Sequence, residues 1–123
     1  MNVVIVEDEA PARERLRNYL EEYAGGIRIL AQLGSVSECE NWFQQHPVPD
    51  LVFLDIQLSD GDPFQLLKNK IIRSPVIFIT AFDAYILEAL QHQSIDYILK
   101  PLKKDKLFKA LQKYGEIKRF FES

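Results

Sequence analysis

Short apolar runs and amphipathic stretches alternate along the chain five times in succession. The apolar runs are Val3 to Val6, Ile27 to Leu33, Leu51 to Leu54, Val76 to Ile79 and Ile95 to Leu99. At four to seven residues rich in Val, Ile, Leu and Phe, they suit buried strands better than helices. The stretches between them carry helical spacing. Leu16, Tyr19, Leu20 and Tyr23 share one face, and after the last run so do Leu107, Ala110, Leu111, Tyr114, Ile117 and Phe121. Start and stop signals mark the boundaries. Ser35 and Glu38 have capping-box spacing ahead of Cys39, Trp42 and Phe43. Asp62-Pro63 reads as an N-cap followed by proline at the first helical position. Asp83 is placed to cap a helix starting at Ala84, and Gly25-Gly26 punctuates the end of the first helix.

Five strand–helix units in a row predict an α/β fold, a doubly wound parallel sheet with helices on both faces. The first, third and fourth runs are purely apolar, as central strands covered on both sides should be. The second and fifth are broken by Arg28, Gln32 and Asp96, which suits sheet edges. A flavodoxin-like (βα)5 order, 2-1-3-4-5, puts those two at the edges and the topological switch between strands 1 and 3. Ligands should then bind beyond the carboxyl ends of these strands. There the sequence supplies Glu7 and Asp8 after strand 1, Asp55 after strand 3, Thr80 after strand 4 and Lys100 after strand 5.

Composition narrows the chemistry. The chain has 123 residues, 47% of them hydrophobic, enough for one domain with a real core. A net charge of -3 argues against holding a phosphate backbone unaided. Cys39 is the only cysteine, so no internal disulfide forms, and one thiol fits a reducing compartment. Val3 to Val6 is too short for a signal sequence and has acids beside it, and no apolar run nears the ~20 residues of a membrane span. These features predict a cytoplasmic domain that does not engage a membrane. Three carboxylates on one rim repel one another and call for a cation; an all-oxygen set favours Mg²⁺. A carboxylate beside such an ion can attack phosphorus to give an aspartyl phosphate, with Lys100 pairing a phosphoryl oxygen.

The segments Val6-Glu7-Asp8-Glu9, Leu54-Asp55-Ile56, Thr80-Ala81 and Lys100-Pro101 occur in order and in matching strand context. Over nearly its whole length the chain resembles the receiver domains of two-component response regulators. Ser59-Asp60-Gly61, Ala81-Phe82-Asp83-Ala84-Tyr85 and Ile95 to Pro101 are most similar to the LytR/AlgR type, whose receivers usually precede a LytTR DNA-binding domain. The resemblance implies that Asp55 is the phosphoacceptor and that a sensor histidine kinase is the donor. It implies Mg²⁺ held by Glu7, Asp8, Asp55 and the Gln57 backbone carbonyl. Thr80 becomes the switch hydroxyl with Ala81 beside it, Tyr97 the switch aromatic, Lys100 the phosphate-pairing lysine, and Lys100-Pro101 a cis peptide. Glu7 stands where aspartate is frequent in the family. The resemblance further implies homodimerisation through the helix 4–strand 5–helix 5 face. DNA would be contacted only through an output domain outside this chain, a reading that Phe120-Phe121 on the last helix also suggests.

Other readings are weaker. Glu9 reads as an acid favouring a helix N-terminus, His46 and His92 as surface residues, and Lys103, Lys104, Lys106 and Lys109 as a solvated helix face. A haloacid-dehalogenase-type phosphatase needs an acid two residues after its nucleophile, where this chain has Gln57. A flavin site lacks its phosphate-cradling loop after strand 1. The main alternative is a pseudo-receiver that works through its interaction face without phosphorylation.

Overall fold

Among the described residues, 1–122, the chain forms five strands and five helices in strict alternation. In the computed structural model these are β1 (Asn2–Val6), α1 (Ala10–Glu22), β2 (Arg28–Leu33), α2 (Val36–Gln45), β3 (Leu51–Leu54), α3 (Phe64–Lys68), β4 (Val76–Thr80), α4 (Ile86–Ala89), β5 (Ser94–Leu99) and α5 (Lys104–Glu122). All strands pair in parallel, in the order β2-β1-β3-β4-β5. The predicted edge strands are the edges. Val3 to Val6 of β1 and all of β3 and β4 are buried, whereas β2 and β5 are partly open.

Side chains alternate across a strand, so one sheet serves two cores. Val3, Ile5, Leu51, Phe53, Ile77 and Ile79 face α1 and α5, meeting Leu16, Leu20, Leu107 and Leu111. Val4, Val6, Val52, Leu54, Val76 and Phe78 face the opposite layer, meeting Cys39, Leu66, Leu67 and Ala89. Tyr114 ties α5 down by donating its hydroxyl to the Asp50 carbonyl at 3.2 Å. Burial pushes the Cys39 thiol up to about 12.

The capping signals hold in part. Ser35 accepts the Glu38 N–H at 3.0 Å, the first half of the expected box. Asp62 accepts the Phe64 N–H at 3.0 Å, while the helix itself begins at Phe64. Asp83 does not cap a helix from Ala84. The helix begins at Ile86, Tyr85 occupies its N-cap, and Asp83 contributes its carbonyl instead. Phe121 leaves the predicted α5 stripe and is 80% exposed, because that helix outruns the sheet it packs on. His92 is half-buried rather than superficial. It stacks on Phe64, and its Nε2 is enclosed without a hydrogen-bond partner.

Asp60 joins two segments that are distant in sequence. Its carboxylate accepts the Val36 N–H at 2.8 Å and the Ser37 N–H at 3.0 Å, capping α2 from the loop after β3. Those amides hold its carboxyl below the ordinary 3.8. A lowered native pKa supports the fold above the ordinary value and withdraws that support as pH falls through the lowered one. Asp60→Ala should therefore lower the denaturant midpoint near neutral pH, and the difference from the parent should shrink as the medium becomes strongly acidic. Paired denaturation curves across pH check this. Cys39, buried and with a raised pKa, should resist alkylation at mildly alkaline pH until denaturant is added; mass spectrometry reads the adduct.

Candidate functional site

The sheet's own hydrogen bonds carry the polar residues to one rim. Past the strand ends the backbone ladder continues: Glu7 N–H donates to Leu33 O at 2.9 Å, Asp55 N–H to Val6 O at 3.0 Å, and Lys100 N–H to Thr80 O at 2.8 Å. Residues adjoining β1, β3, β4 and β5 are thereby locked at one end of the sheet.

There the Lys100 ammonium sits among three carboxylates. Its Nζ lies 2.7 Å from Glu7 Oε1, 2.9 Å from Asp55 Oδ2 and 3.1 Å from Glu9 Oε1. Asp55 is 3% exposed and Glu7 5%. Carboxylate oxygens of Glu7, Asp8, Glu9 and Asp55 all lie within 4.8 Å of one another. Burial raises Glu7 to about 7; the hydrogen bonds from Lys100 and the Glu9 N–H oppose the shift, and the charge of Asp55 adds to it. Burial alone would depress Lys100, but its hydrogen bonds to Glu7 and Asp55 overcome this and hold the ammonium above its ordinary value. Four carboxylates against one ammonium leave the rim short of positive charge. An all-oxygen donor set of this charge fits a hard divalent cation such as Mg²⁺. A cleft of about 420 Å³ between Pro11, Ala12, Leu16, Pro101 and Leu102 opens onto Asp55 and Lys100.

The remaining predicted residues surround this cluster. Gln57 donates its N–H to Asp55 Oδ1 at 2.9 Å, which fixes the loop whose carbonyl is the candidate metal ligand. Thr80 is fully buried at the end of β4, and its Oγ1 accepts the Phe82 N–H at 3.4 Å. Ala81 lies exposed between them. Tyr97 stands apart from the carboxylates. Its ring is half-buried beside Phe78 and its hydroxyl donates to the Phe82 carbonyl. Burial, then the charges of Asp83 and Asp55, raise its phenol, so it stays a neutral donor. Thr80 and Tyr97 thus hold the two sides of one peptide segment. The Lys100–Pro101 bond is cis.

Glu9 is the residue that sequence reasoning set aside. It is 91 residues from Lys100 in sequence yet hydrogen-bonded to it, and its N–H donates to Glu7 Oε2 at 3.1 Å. A third consecutive acid after β1 was the available signal.

The response regulator receiver domain family matches residues 3–112. The chain belongs to this family. Receiver domains are modules of two-component signalling, and this one resembles the LytTR-type regulators. It is 36% identical over 97% of its length to the sensory transduction protein LytT of Bacillus cereus, covering 49% of that protein. It is 37% identical over 92% of its length to the positive alginate biosynthesis regulatory protein of Pseudomonas aeruginosa, covering 46%. The receiver thus spans about half the length of these relatives. The response regulatory domain of mrkE from Klebsiella pneumoniae superposes with a TM-score of 0.85 at 29% identity, over 95% of this chain and 97% of that one. Among the described residues no helix is long and apolar enough to cross a membrane.

Glu7 gives this receiver a pH signature. Its native pKa is raised, so ionising it opposes folding, with the penalty growing from about 4.5 to its full size near 7. In metal-free solution Glu7→Gln should stabilise the domain above neutrality. The gain should fade as pH drops toward the ordinary carboxylate range. Unfolding free energies in chelator at several pH values measure it.

Proposed function

We propose that this receiver is a phosphorylation-dependent switch in which Asp55 accepts a phosphoryl group from a sensor histidine kinase. The observation that carries the reading is the buried Asp55 carboxylate with Lys100 Nζ 2.9 Å from one oxygen and carboxylate oxygens of Glu7, Asp8 and Glu9 within 4.8 Å. An Asp55 oxygen attacks the phosphorus of a phosphohistidine. A P–O bond forms, the P–N bond breaks, and the imidazole leaves with the electron pair. Glu7, Asp8, Asp55 and the Gln57 carbonyl would hold Mg²⁺, which when bound neutralises charge on the transferring group. Lys100 exchanges a carboxylate partner for a phosphoryl oxygen. The domain is a phosphoacceptor that assists its own transfer and hydrolysis rather than a turnover enzyme.

The signal leaves through Thr80 and Tyr97. An Asp55 phosphoryl group offers new acceptor oxygens. Turning the Thr80 hydroxyl toward them releases the Phe82 N–H, and Tyr97 holds the other side of that segment. The bistable element is this β4–α4 loop, and its readout is the α4–β5–α5 face. Leu87, Leu90 and Leu99 there are 79%, 65% and 45% exposed, an apolar surface suited to a second copy. The half-buried Tyr97 ring and its hydroxyl bond to the Phe82 carbonyl brace the β4–α4 loop. An output domain contacting DNA is consistent with the relatives' greater length, and one of them is the Escherichia coli transcriptional regulatory protein BtsR.

Asp55→Asn should abolish labelling by a small phosphodonor in Mg²⁺, read by intact-protein mass; labelling at the parent's level would sink the assignment. Thr80→Ala should still label but lose most of the phosphorylation-linked shift in sedimentation. A parent that never labels would favour the pseudo-receiver reading.

A further inference from the structure

We propose that Glu9 is a positioning residue, an internal anion that latches Lys100 in the resting site and competes with the phosphoryl group for its ammonium. This rests on the phosphoacceptor reading and adds a regulator to it. Three carboxylates hold Lys100, and they are not equivalent. The side chains of Glu7 and Asp55 are 6% and 3% exposed, whereas that of Glu9 is 67% exposed. Glu9 is therefore the partner that can swing into water without stranding a buried charge.

Its side chain forgoes the local capping bond in favour of Lys100. Glu9 is the N-cap of α1, yet its side chain makes no capping bond. It reaches across to the residue before Pro101 instead, at 3.1 Å. Its N–H donates to Glu7 Oε2, so the backbone that carries the latch is pinned to the same cluster. A phosphoryl group on Asp55 needs Lys100. With Glu7, Asp8 and Asp55 serving the cation, Glu9 is the carboxylate left to contest the ammonium. Contact, rather than charge at a distance, is the operative element: Glu9→Gln removes the charge and leaves only a weak neutral acceptor, while Glu9→Asp keeps the charge on a side chain one methylene too short to reach.

The test measures beryllofluoride affinity at saturating Mg²⁺ by ¹⁹F NMR, for the parent, Glu9→Gln, Glu9→Asp and Asp55→Asn. An exposed ion pair that must break before the anion seats should weaken binding by about two- to fivefold. Both Glu9 variants should therefore bind more tightly by that factor, and the Lys100 ¹⁵Nζ resonance should shift in their anion-free spectra. Unchanged or weaker binding by Glu9→Gln overturns the latch. So does tightening in Glu9→Gln with parental affinity in Glu9→Asp, which would mean long-range charge alone. No binding by the parent, or equal binding by Asp55→Asn, overturns the phosphoacceptor reading and the latch with it.

Discussion

The Lys100 ammonium is the charge on which the site is assembled. Parallel strands bring Glu7, Asp8, Glu9 and Asp55 to one rim, and two of these acids are almost wholly withdrawn from water. At such separations like charges repel strongly wherever the dielectric is below that of bulk water. A single cation reaching three of the oxygens at 2.7–3.1 Å makes the arrangement tolerable, but it does not neutralise it. Glu7 is raised chiefly by its burial, and the charge of Asp55 adds to that shift. Lys100 can stand there because β5 lies at the far edge of the sheet and its last backbone bond, to Thr80, delivers the side chain inward.

That under-neutralised rim is what makes the fold useful. Any species that binds the native site and not the unfolded chain stabilises the native state by linkage, and a rim short of positive charge is open to cations. On the proposed reading the same shortage would set the order of events for a phosphoryl group, which would bring more negative charge and need the ammonium released from its carboxylates. Specificity for such a group comes from buried partners whose charge cannot be dissipated elsewhere. Asp55, 3% exposed, has that character and Glu9 does not, although both touch the same atom.

Much of this was legible in the sequence, and the reasons are local. Runs such as Leu51 to Leu54 announce themselves as central strands because no residue in them tolerates water. Arg28, Gln32 and Asp96 mark the edges by the opposite logic. Once the strand order is fixed, Glu7, Asp8, Asp55, Thr80 and Lys100 must share a rim, since each adjoins a carboxyl end. What could not be read depends on distances between segments far apart in the chain. Glu9 looked like a helix-dipole acid because its partner lies at the end of β5. Asp60 caps α2 from another loop, so no spacing rule within α2 reveals it. The helix expected from Ala84 fails because Phe82 is held on one side by Thr80 and on the other by Tyr97, leaving the next residues a turn rather than a first helical turn.

The failure at Ala84 is informative, because it falls where the structure is least committed. The α4 helix is four residues long and buries Ala89 alone, while α5 runs nineteen residues and buries four. An element with so little packing is the one that a small change at the rim can move, since local stability follows buried apolar contact. The segment from Thr80 to Ile86 is tethered to the sheet by side-chain bonds to Phe82 rather than by a core of its own. One of them, from the Phe82 N–H to Thr80 Oγ1, is lost if the Thr80 side chain turns away. A rim that holds charge in excess, wired through Phe82 to a marginal helix bearing exposed leucines, is built so that, on the proposed reading, a change of charge at Asp55 would become a change of surface without requiring the two cores to move.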